Sequence, residues 1–114
     1  MVMAKPFTYT YLLTASPSTE DEAEIATIGG ARKFTAKSIT IYWPSGCNFE
    51  LQIRLMKGIY QFAPGNGYYA SDGRTTRDVC EEVFQSGERI IVHYKNTNAS
   101  TTYKALIQIS GLLE

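Results

Sequence analysis

Apolar and polar residues alternate with a period of two along much of the chain, most clearly near its middle. Every second residue is apolar from Ile39 to Trp43 and again from Phe49 to Leu55, and the turn-forming segment Pro44–Gly46 separates the two runs. A period of two is the spacing at which the side chains of a strand share a face. This stretch therefore predicts a module of two strands, with a chain reversal between them and one apolar side to bury.

The same alternation recurs in most of the remaining chain. Aromatic and β-branched residues, which favour strands, fill these runs, and turn-forming residues separate them. The predicted strands are residues 6–14, 34–43, 48–57, 59–62, 79–84, 90–95 and 103–110. The segment between the last two strands, 96–100 (NTNAS), is typical of a hairpin connection.

Residues 20–28 (EDEAEIATI) fit two different elements. Thr19 and Glu22 have the spacing of a capping box and Gly29 follows as a stop, which is typical of a helix. However, Ile25 and Ile28 are the only large apolar residues that such a helix could bury. A strand is favoured, because short helices with little to bury are marginal and the neighbouring elements are strands.

About eight short strands without a convincing amphipathic helix predict an all-β fold. We expect a single domain over residues 1–114, an antiparallel β-sandwich of jelly-roll type, because a chain of 114 residues can enclose one core. Leu12, Tyr42, Ile91 and Leu106 fall on the outward faces of their strands. Apolar residues in such positions indicate a subunit that packs against others.

Charge and hydropathy narrow the range of partners. Eleven basic residues balance eleven acidic ones, so no overall field attracts nucleic acid or anionic lipid. The longest apolar runs, such as 90–92, are too short to span a bilayer. No basic segment followed by an apolar one opens the chain, so we expect no secretory signal. From the short apolar runs and the balanced charge we expect no membrane insertion and no nucleic-acid partner.

Two cysteines, Cys47 and Cys80, are too few for a disulfide framework or for a metal site of their own. Cys47 lies in the turn after Trp43, and Cys80 lies near the start of a later strand. A bridge between them is one possibility, closing a loop of about 34 residues and contributing roughly 3–4 kcal/mol. The favoured alternative is two small, buried apolar side chains.

The segment 65–78 (GNGYYASDGRTTRD) predicts a loop that is long for a compact domain. It carries Tyr68, Tyr69, Arg74 and Arg77. Aromatic rings and guanidinium groups supply contact area and forked hydrogen bonds, and both are enriched in protein interfaces. We expect these four residues to contact other subunits.

Other uses of this loop stay open at the level of the sequence. Tyr68 and Tyr69, joined by Trp43, could bind carbohydrate by stacking on sugar rings. For Trp43 itself the core is favoured, because it alternates with Ile39 and Ile41. Single-stranded nucleic acid is disfavoured by the balanced charge. The loop could also fold back on its own domain.

No arrangement of residues indicates catalysis. His93 is the only histidine, no nucleophile stands in a recognisable elbow, and a half-exposed strand residue is the expectation for it. The acidic run Glu20–Glu24 lacks the spacing of a calcium loop, so a solvated face is expected there. We therefore expect no enzyme activity, no metal and no cofactor.

One series of motifs carries a resemblance to known proteins. An alternating strand ends in Trp43-Pro44-Ser45-Gly46-Cys47, and a second strand, the segment 60–64 (YQFAP), a tyrosine-bearing loop and a strand start at Gly87 follow. This order resembles small β-sandwich structural proteins of the virions of tailed phages and related viruses. The resemblance implies a decoration, cement or appendage subunit, located in the virion after assembly in the host cytoplasm. Its implied partners are copies of itself or a larger shell protein.

Overall fold

A computed structural model describes residues 4–114, and all of its regular elements are strands. The strands are β1 (Lys5–Ala15), β2 (Thr19–Thr27), β3 (Phe34–Tyr42), β4 (Leu51–Lys57), β5 (Tyr60–Ala63), β6 (Tyr69–Ala70), β7 (Thr75–Phe84), β8 (Arg89–Asn96) and β9 (Tyr103–Leu113). The molecule is elongated, at 52 by 23 by 23 Å. The expected all-β fold is confirmed, and the ambiguous segment 20–28 is the strand that was favoured, β2.

The strands form two antiparallel sheets that face each other. Sheet A has the order β1-β9-β3-β7, and sheet B has the order β2-β8-β4-β5 with β6 paired to β4. Every connection outside the segment β4–β6 carries the chain from one sheet to the other. The result is a β-sandwich with a jelly-roll-like winding, in which β1 and β7 are the edge strands of sheet A.

Two expected pairings are wrong. The strands on either side of Pro44–Gly46 do not pair with each other, because β3 lies in sheet A and β4 in sheet B. The connection 96–100 likewise passes from sheet B to sheet A instead of closing a hairpin. In a sandwich both sheets turn an apolar face to the same interior, so alternation alone cannot distinguish a hairpin from a crossover between sheets.

The interior between the sheets is filled by the apolar faces of both. The largest fully buried side chains are Phe34, Phe84, Leu13, Ile28, Ile39, Ile41, Leu51, Ile53, Leu55, Ile90, Ile107 and Ile109. Each contributes about 1.5–3 kcal/mol by leaving water. Trp43 is 6% exposed and donates from Nε1 to Thr76 Oγ1 at 2.8 Å, which confirms the core position expected for it.

Gly111 marks a close approach between the central strands of sheet A. The register of β3 shifts between Ala36 and Ser38, opposite this part of β9. A Cβ atom at Gly111 would lie 1.9 Å from the carbonyl oxygen of Thr35. Only glycine therefore fits at this point of the ladder.

Asn96 joins the two sheets at the end of β8. Its side chain is 1% exposed, and Nδ2 donates to the carbonyl oxygens of Ala15 and Thr101 at 3.1 and 2.8 Å. Its Oδ1 accepts the N–H of Asn98 at 2.9 Å. The buried amide therefore binds backbone groups of β1 and of the β8–β9 crossover.

Candidate functional site

The structure separates Tyr68, Tyr69, Arg74 and Arg77. Their predicted loop is divided, because β6 pairs with β4 through Ile53↔Tyr69 and β7 already begins at Thr75. Tyr68 packs near His93 on the outer side of sheet B, whereas Tyr69 packs against the core. Arg74 is exposed in the β6–β7 connection, and Arg77 lies on β7 among its exposed, outward residues.

The side chain of Tyr69 is engaged in contacts within the fold. Its hydroxyl donates to Asp78 Oδ2 at 2.7 Å, which joins β6 to β7. Burial, and then the Asp78 carboxylate, raise the pKa of Tyr69 well above its usual value. Because Trp43 is also buried, Tyr68, Tyr69 and Trp43 do not share one surface on which a sugar ring could stack.

A cluster of polar side chains covers the middle of sheet B on its outer side. Arg54 donates from Nε to His93 Nδ1 at 2.6 Å and from Nη1 to Gln61 Oε1 at 3.1 Å. Its guanidinium carbon lies 5.0 Å from the centre of the Tyr68 ring. His93 Nε2 lies 3.1 Å from Glu20 Oε2. The cluster therefore consists of Arg54, the three side chains around it, and Glu20, which contacts His93.

The cluster fixes a loop and leaves its histidine no free nitrogen. His93 is only 8% exposed, because Tyr68 and Arg54 cover its ring. The half-exposed position expected for this residue is therefore wrong. Gln61 donates from Nε2 to the carbonyl oxygens of Pro64 and Gly67, both at 2.8 Å. Sequence reasoning missed Arg54 and Gln61, because only the pairing of β4 with β8 places Arg54 opposite His93.

The outer face of sheet A carries a row of apolar side chains in register. Leu12 of β1 lies opposite Leu106 of β9, which lies opposite Tyr42 of β3. Leu12 is 57% exposed and Tyr42 38% exposed, which confirms their expected outward positions. Ile91, the fourth residue of that prediction, is only 5% exposed and lies on the other sheet.

The rows beside this one carry few charges, and the row on one side pairs Thr14 with the exposed Lys104. The two rows on the other side read Thr10–Gln108–Thr40–Arg77 and Thr8–Ser110–Ser38–Val79 across the four strands. Val79 is 83% exposed. Further along β3 and β7, Lys37 and Glu81 pair with each other. We call this surface, the outward residues of β1, β9, β3 and β7, the sheet A face.

A groove of about 390 Å³ lies between the β4–β5 and β7–β8 turns. Its central charge, Lys57 Nζ, lies 3.5 Å from carboxylate oxygens of both Glu82 and Glu88, and donates to the carbonyl oxygen of Val83 at 2.8 Å. At the tip of the β4–β5 turn the side chain of Ile59 is 100% exposed. The groove is thus open, and its lysine is already neutralised.

Both cysteines are free thiols, so the structure contains no bridge between Cys47 and Cys80. Cys47 is buried beyond the β3–β7 ladder and its Sγ donates to the carbonyl oxygen of Ser71 at 2.9 Å. Cys80 lies five residues along β7 from Thr75, which is about 16 Å of strand. Burial raises the pKa of Cys80 to about 11.

The acidic strand β2 is exposed and its carboxylates do not converge. Glu24 pairs with Arg89 at 3.4 Å, and Glu20 belongs to the His93 cluster. Within residues 4–114 no three side chains of metal-ligating type come together. The same residues include no helix long and apolar enough to cross a membrane.

Comparison with known proteins gives a likeness in structure alone. No family model matches the sequence, and no curated protein matches it. A chain in the acid-stable capsid structure of Helicobacter pylori bacteriophage KHP30 is similar with a TM-score of 0.57 and 10% identity, over 96% of this chain and 93% of that one. A chain in the capsid asymmetric unit of cyanophage Pam1 is similar with a TM-score of 0.54 and 10% identity, over 96% and 84%.

A third similar chain comes from Bacillus endospore appendages, with a TM-score of 0.45, 12% identity and coverage of 96% and 90%. At identities this low a likeness concerns the fold. The two phage capsid chains share this fold over nearly the whole of the present chain. The resemblance to β-sandwich proteins of phage virions that the sequence motifs carried is thereby confirmed at the level of architecture.

Proposed function

We propose that the protein is a non-enzymatic structural subunit of a virion, acting through contacts with copies of itself or with a larger shell protein. It would be assembled in the host cytoplasm and serve as a decoration, cement or appendage subunit. The observation that carries this proposal is the apolar row Leu12–Leu106–Tyr42 at the surface of sheet A. The phage capsid chains of similar fold support the proposal by analogy.

The sheet A face has the properties of a contact surface. It presents apolar and hydroxyl side chains in parallel rows, its charged pair Lys37–Glu81 is neutral as a unit, and Arg77 and Lys104 are further exposed charges on it. Completing the burial of Leu12 alone would recover about 1–2 kcal/mol. Exposed apolar residues that lie in register across three strands form one contiguous patch, which indicates an interaction surface, whereas the same residues scattered singly would not.

Association of the purified chain tests this proposal. Sedimentation velocity over a wide concentration range should show self-association of the wild-type protein. Leu12→Glu should weaken this association, because it would bury a carboxylate in the contact. Ile59→Glu is the matched control, since it makes the same change of character at a residue that is fully exposed on the β4–β5 turn.

Two results would contradict the proposal. One is a wild-type chain that remains monomeric at every concentration. The other is equal association of the wild-type and Leu12→Glu proteins, with circular dichroism showing that both are folded.

A further inference from the structure

His93 lies on the outer side of sheet B and is held at both of its ring nitrogens. Nδ1 accepts the Nε–H of Arg54 at 2.6 Å, and Nε2 lies 3.1 Å from Glu20 Oε2. The strand that carries His93, β8, lies between β2, which carries Glu20, and β4, which carries Arg54. One imidazole therefore connects three neighbouring strands of the sheet.

The two ring nitrogens of His93 have different roles. Because Nδ1 accepts a hydrogen bond, the neutral ring carries its proton on Nε2, where the Glu20 carboxylate can accept it. A second proton can bind only at Nδ1. It would turn two N–H groups and two positive charges towards each other across the 2.6 Å that now separate an acceptor from its donor. The contact with Arg54 therefore cannot persist once His93 is protonated.

Arg54 also holds the segment 64–68, which connects β5 to β6. Its guanidinium carbon lies 5.0 Å from the centre of the Tyr68 ring, and its Nη1 donates to Gln61 Oε1 at 3.1 Å. Gln61 in turn donates from Nε2 to two carbonyl oxygens of the segment, both at 2.8 Å. Two of the contacts that keep this segment on sheet B therefore meet at one guanidinium group.

The charged and titratable groups around His93 come from β2, β4, β8 and the segment 64–68. They are Glu20 and Glu22 of β2, Arg54 of β4, Lys95 of β8 and the phenol of Tyr68. The two carboxylates attract an added proton, and the two cations oppose it. Histidine is the side chain that ordinarily changes its charge between about pH 5 and 8. Acidification is therefore the signal to which this cluster can respond.

Glu20 decides which of the two partners moves. A hydrogen bond from an imidazolium to a carboxylate is charge-assisted and roughly twice as strong as one between neutral groups. Protonation therefore strengthens the contact of His93 with Glu20 on β2 while it removes the contact with Arg54 on β4. His93 is also the more confined of the pair, at 8% exposure, whereas Arg54 has a long, flexible side chain. We expect the arginine to turn away and the histidine to stay.

We propose that His93 and Arg54 form an acid-sensitive switch, in which protonation of His93 displaces the Arg54 guanidinium and loosens the segment 64–68. At neutral pH the segment is held on sheet B and Tyr68 covers His93. In acid Tyr68 loses its cation–π partner and Gln61 loses its donor, so the outer side of sheet B opens locally while the strand ladders remain. The inference concerns a single copy and does not depend on the proposed function.

A pH titration followed by NMR provides the first test. The Arg54 Nε–H and Tyr68 ring resonances should shift with the same midpoint as the His93 ring. Below this midpoint the backbone order parameters of residues 65–68 should fall from about 0.85 to below about 0.6. Protonation of His93 without a change at Arg54 and Tyr68 would overturn the proposal. So would a ring that stays neutral until circular dichroism shows that the protein unfolds in acid.

Variants separate this switch from other effects of acid. His93→Asn keeps an acceptor near the position of Nδ1 but does not titrate in this range, so its segment 64–68 should stay ordered in acid. Arg54→Met removes the cation, so the segment should be loose at neutral pH already and show no further response. Glu22→Gln is the control, because it removes a carboxylate near His93 and leaves Arg54 in place. It should keep the transition and move its midpoint to lower pH.

Two results with these variants would contradict the switch. One is a His93→Asn protein whose segment 64–68 loosens at the same pH as in the wild type, which would assign the change to another group. The other is an Arg54→Met protein whose segment is as ordered at neutral pH as that of the wild type, with circular dichroism showing that it is folded.

Discussion

Arg54 and His93 face each other across the β4–β8 ladder, and the guanidinium Nε–H is donated to the imidazole Nδ1 at 2.6 Å. A nitrogen that accepts a hydrogen bond carries no proton, so the neutral ring has its proton on Nε2. That nitrogen lies 3.1 Å from the Glu20 carboxylate, which can accept it. The pair thus fixes the histidine tautomer.

The first prediction concerns this tautomer. Nitrogen-15 NMR should show Nε2–H as the dominant neutral tautomer of the His93 imidazole. Arg54→Met, which removes the donor to Nδ1, should allow the other tautomer to appear. A wild-type spectrum dominated by the Nδ1–H form is incompatible with the hydrogen bond from Arg54.

The second prediction concerns the close contact at Gly111. Gly111→Ala places a methyl group against the carbonyl oxygen of Thr35, where only 1.9 Å is available. The free energy of unfolding, measured by urea denaturation, should fall by about 1–3 kcal/mol or more. Gly30→Ala is the control, because a Cβ there meets nothing within 4 Å, and it should change stability by less than about 0.5 kcal/mol. Equal effects of the two changes would show that β3 and β9 are not so close.

The third prediction concerns Asn96. Asn96→Ala leaves the carbonyl oxygens of Ala15 and Thr101 and the N–H of Asn98 without their side-chain partner. Unfolding should become easier by about 2–3 kcal/mol, since buried polar groups lose their hydrogen bonds. The same substitution at the exposed Asn66 should leave the thermal midpoint almost unchanged. A similar, small effect at both positions would contradict the role of Asn96 as a link between the sheets.

The fourth prediction concerns the thiols. Intact mass under non-reducing conditions, after alkylation in denaturant, should show two modified cysteines, because Cys47 and Cys80 are free. In the folded protein both should react slowly with a thiol reagent. Cys47 is fully buried, and a pKa of about 11 keeps Cys80 protonated at neutral pH. A mass that lacks both labels would indicate a bridge.

The fifth prediction concerns pH and Tyr69. A phenol whose pKa is raised by folding gives a stability that is complete below its unfolded pKa, near 10, and is lost as the pH rises through the folded value. Tyr69→Phe should therefore destabilise by about 1 kcal/mol at about pH 8, where the bond to Asp78 is intact. The difference from the wild type should narrow at about pH 11. A constant difference in urea midpoint would show that Tyr69 titrates alike in both states.

The sequence predicted the strands well because alternation is a local property. Leu12 and Tyr42 could be placed outward and Trp43 inward from their neighbours alone. Which strands pair depends on contacts between distant residues, and a local pattern does not show these contacts. The sequence therefore predicted paired strands on either side of Pro44–Gly46, where the chain in fact crosses from one sheet to the other. Apolar alternation is the same on the facing sides of both sheets.

The candidate site was harder to predict than the fold. Tyr68 and Tyr69 are adjacent in sequence but face different surroundings, because the pairing of β6 with β4 directs alternate side chains to opposite sides. The burial of His93 depends on Arg54, which is 39 residues away. No local pattern in the chain carries that information.

The β4–β5 turn has a practical consequence. Ile59 extends wholly into solvent and Gly58 adopts a positive φ of 60°, while Lys57 on the strand side forms an ion pair with Glu82. Foreign peptides inserted between Gly58 and Ile59 would therefore leave the core and both outer edges of sheet A untouched. The tip offers an attachment point for an epitope or fluorophore, so that the proposed assemblies of this subunit could be tagged without loss of the contacts made through sheet A.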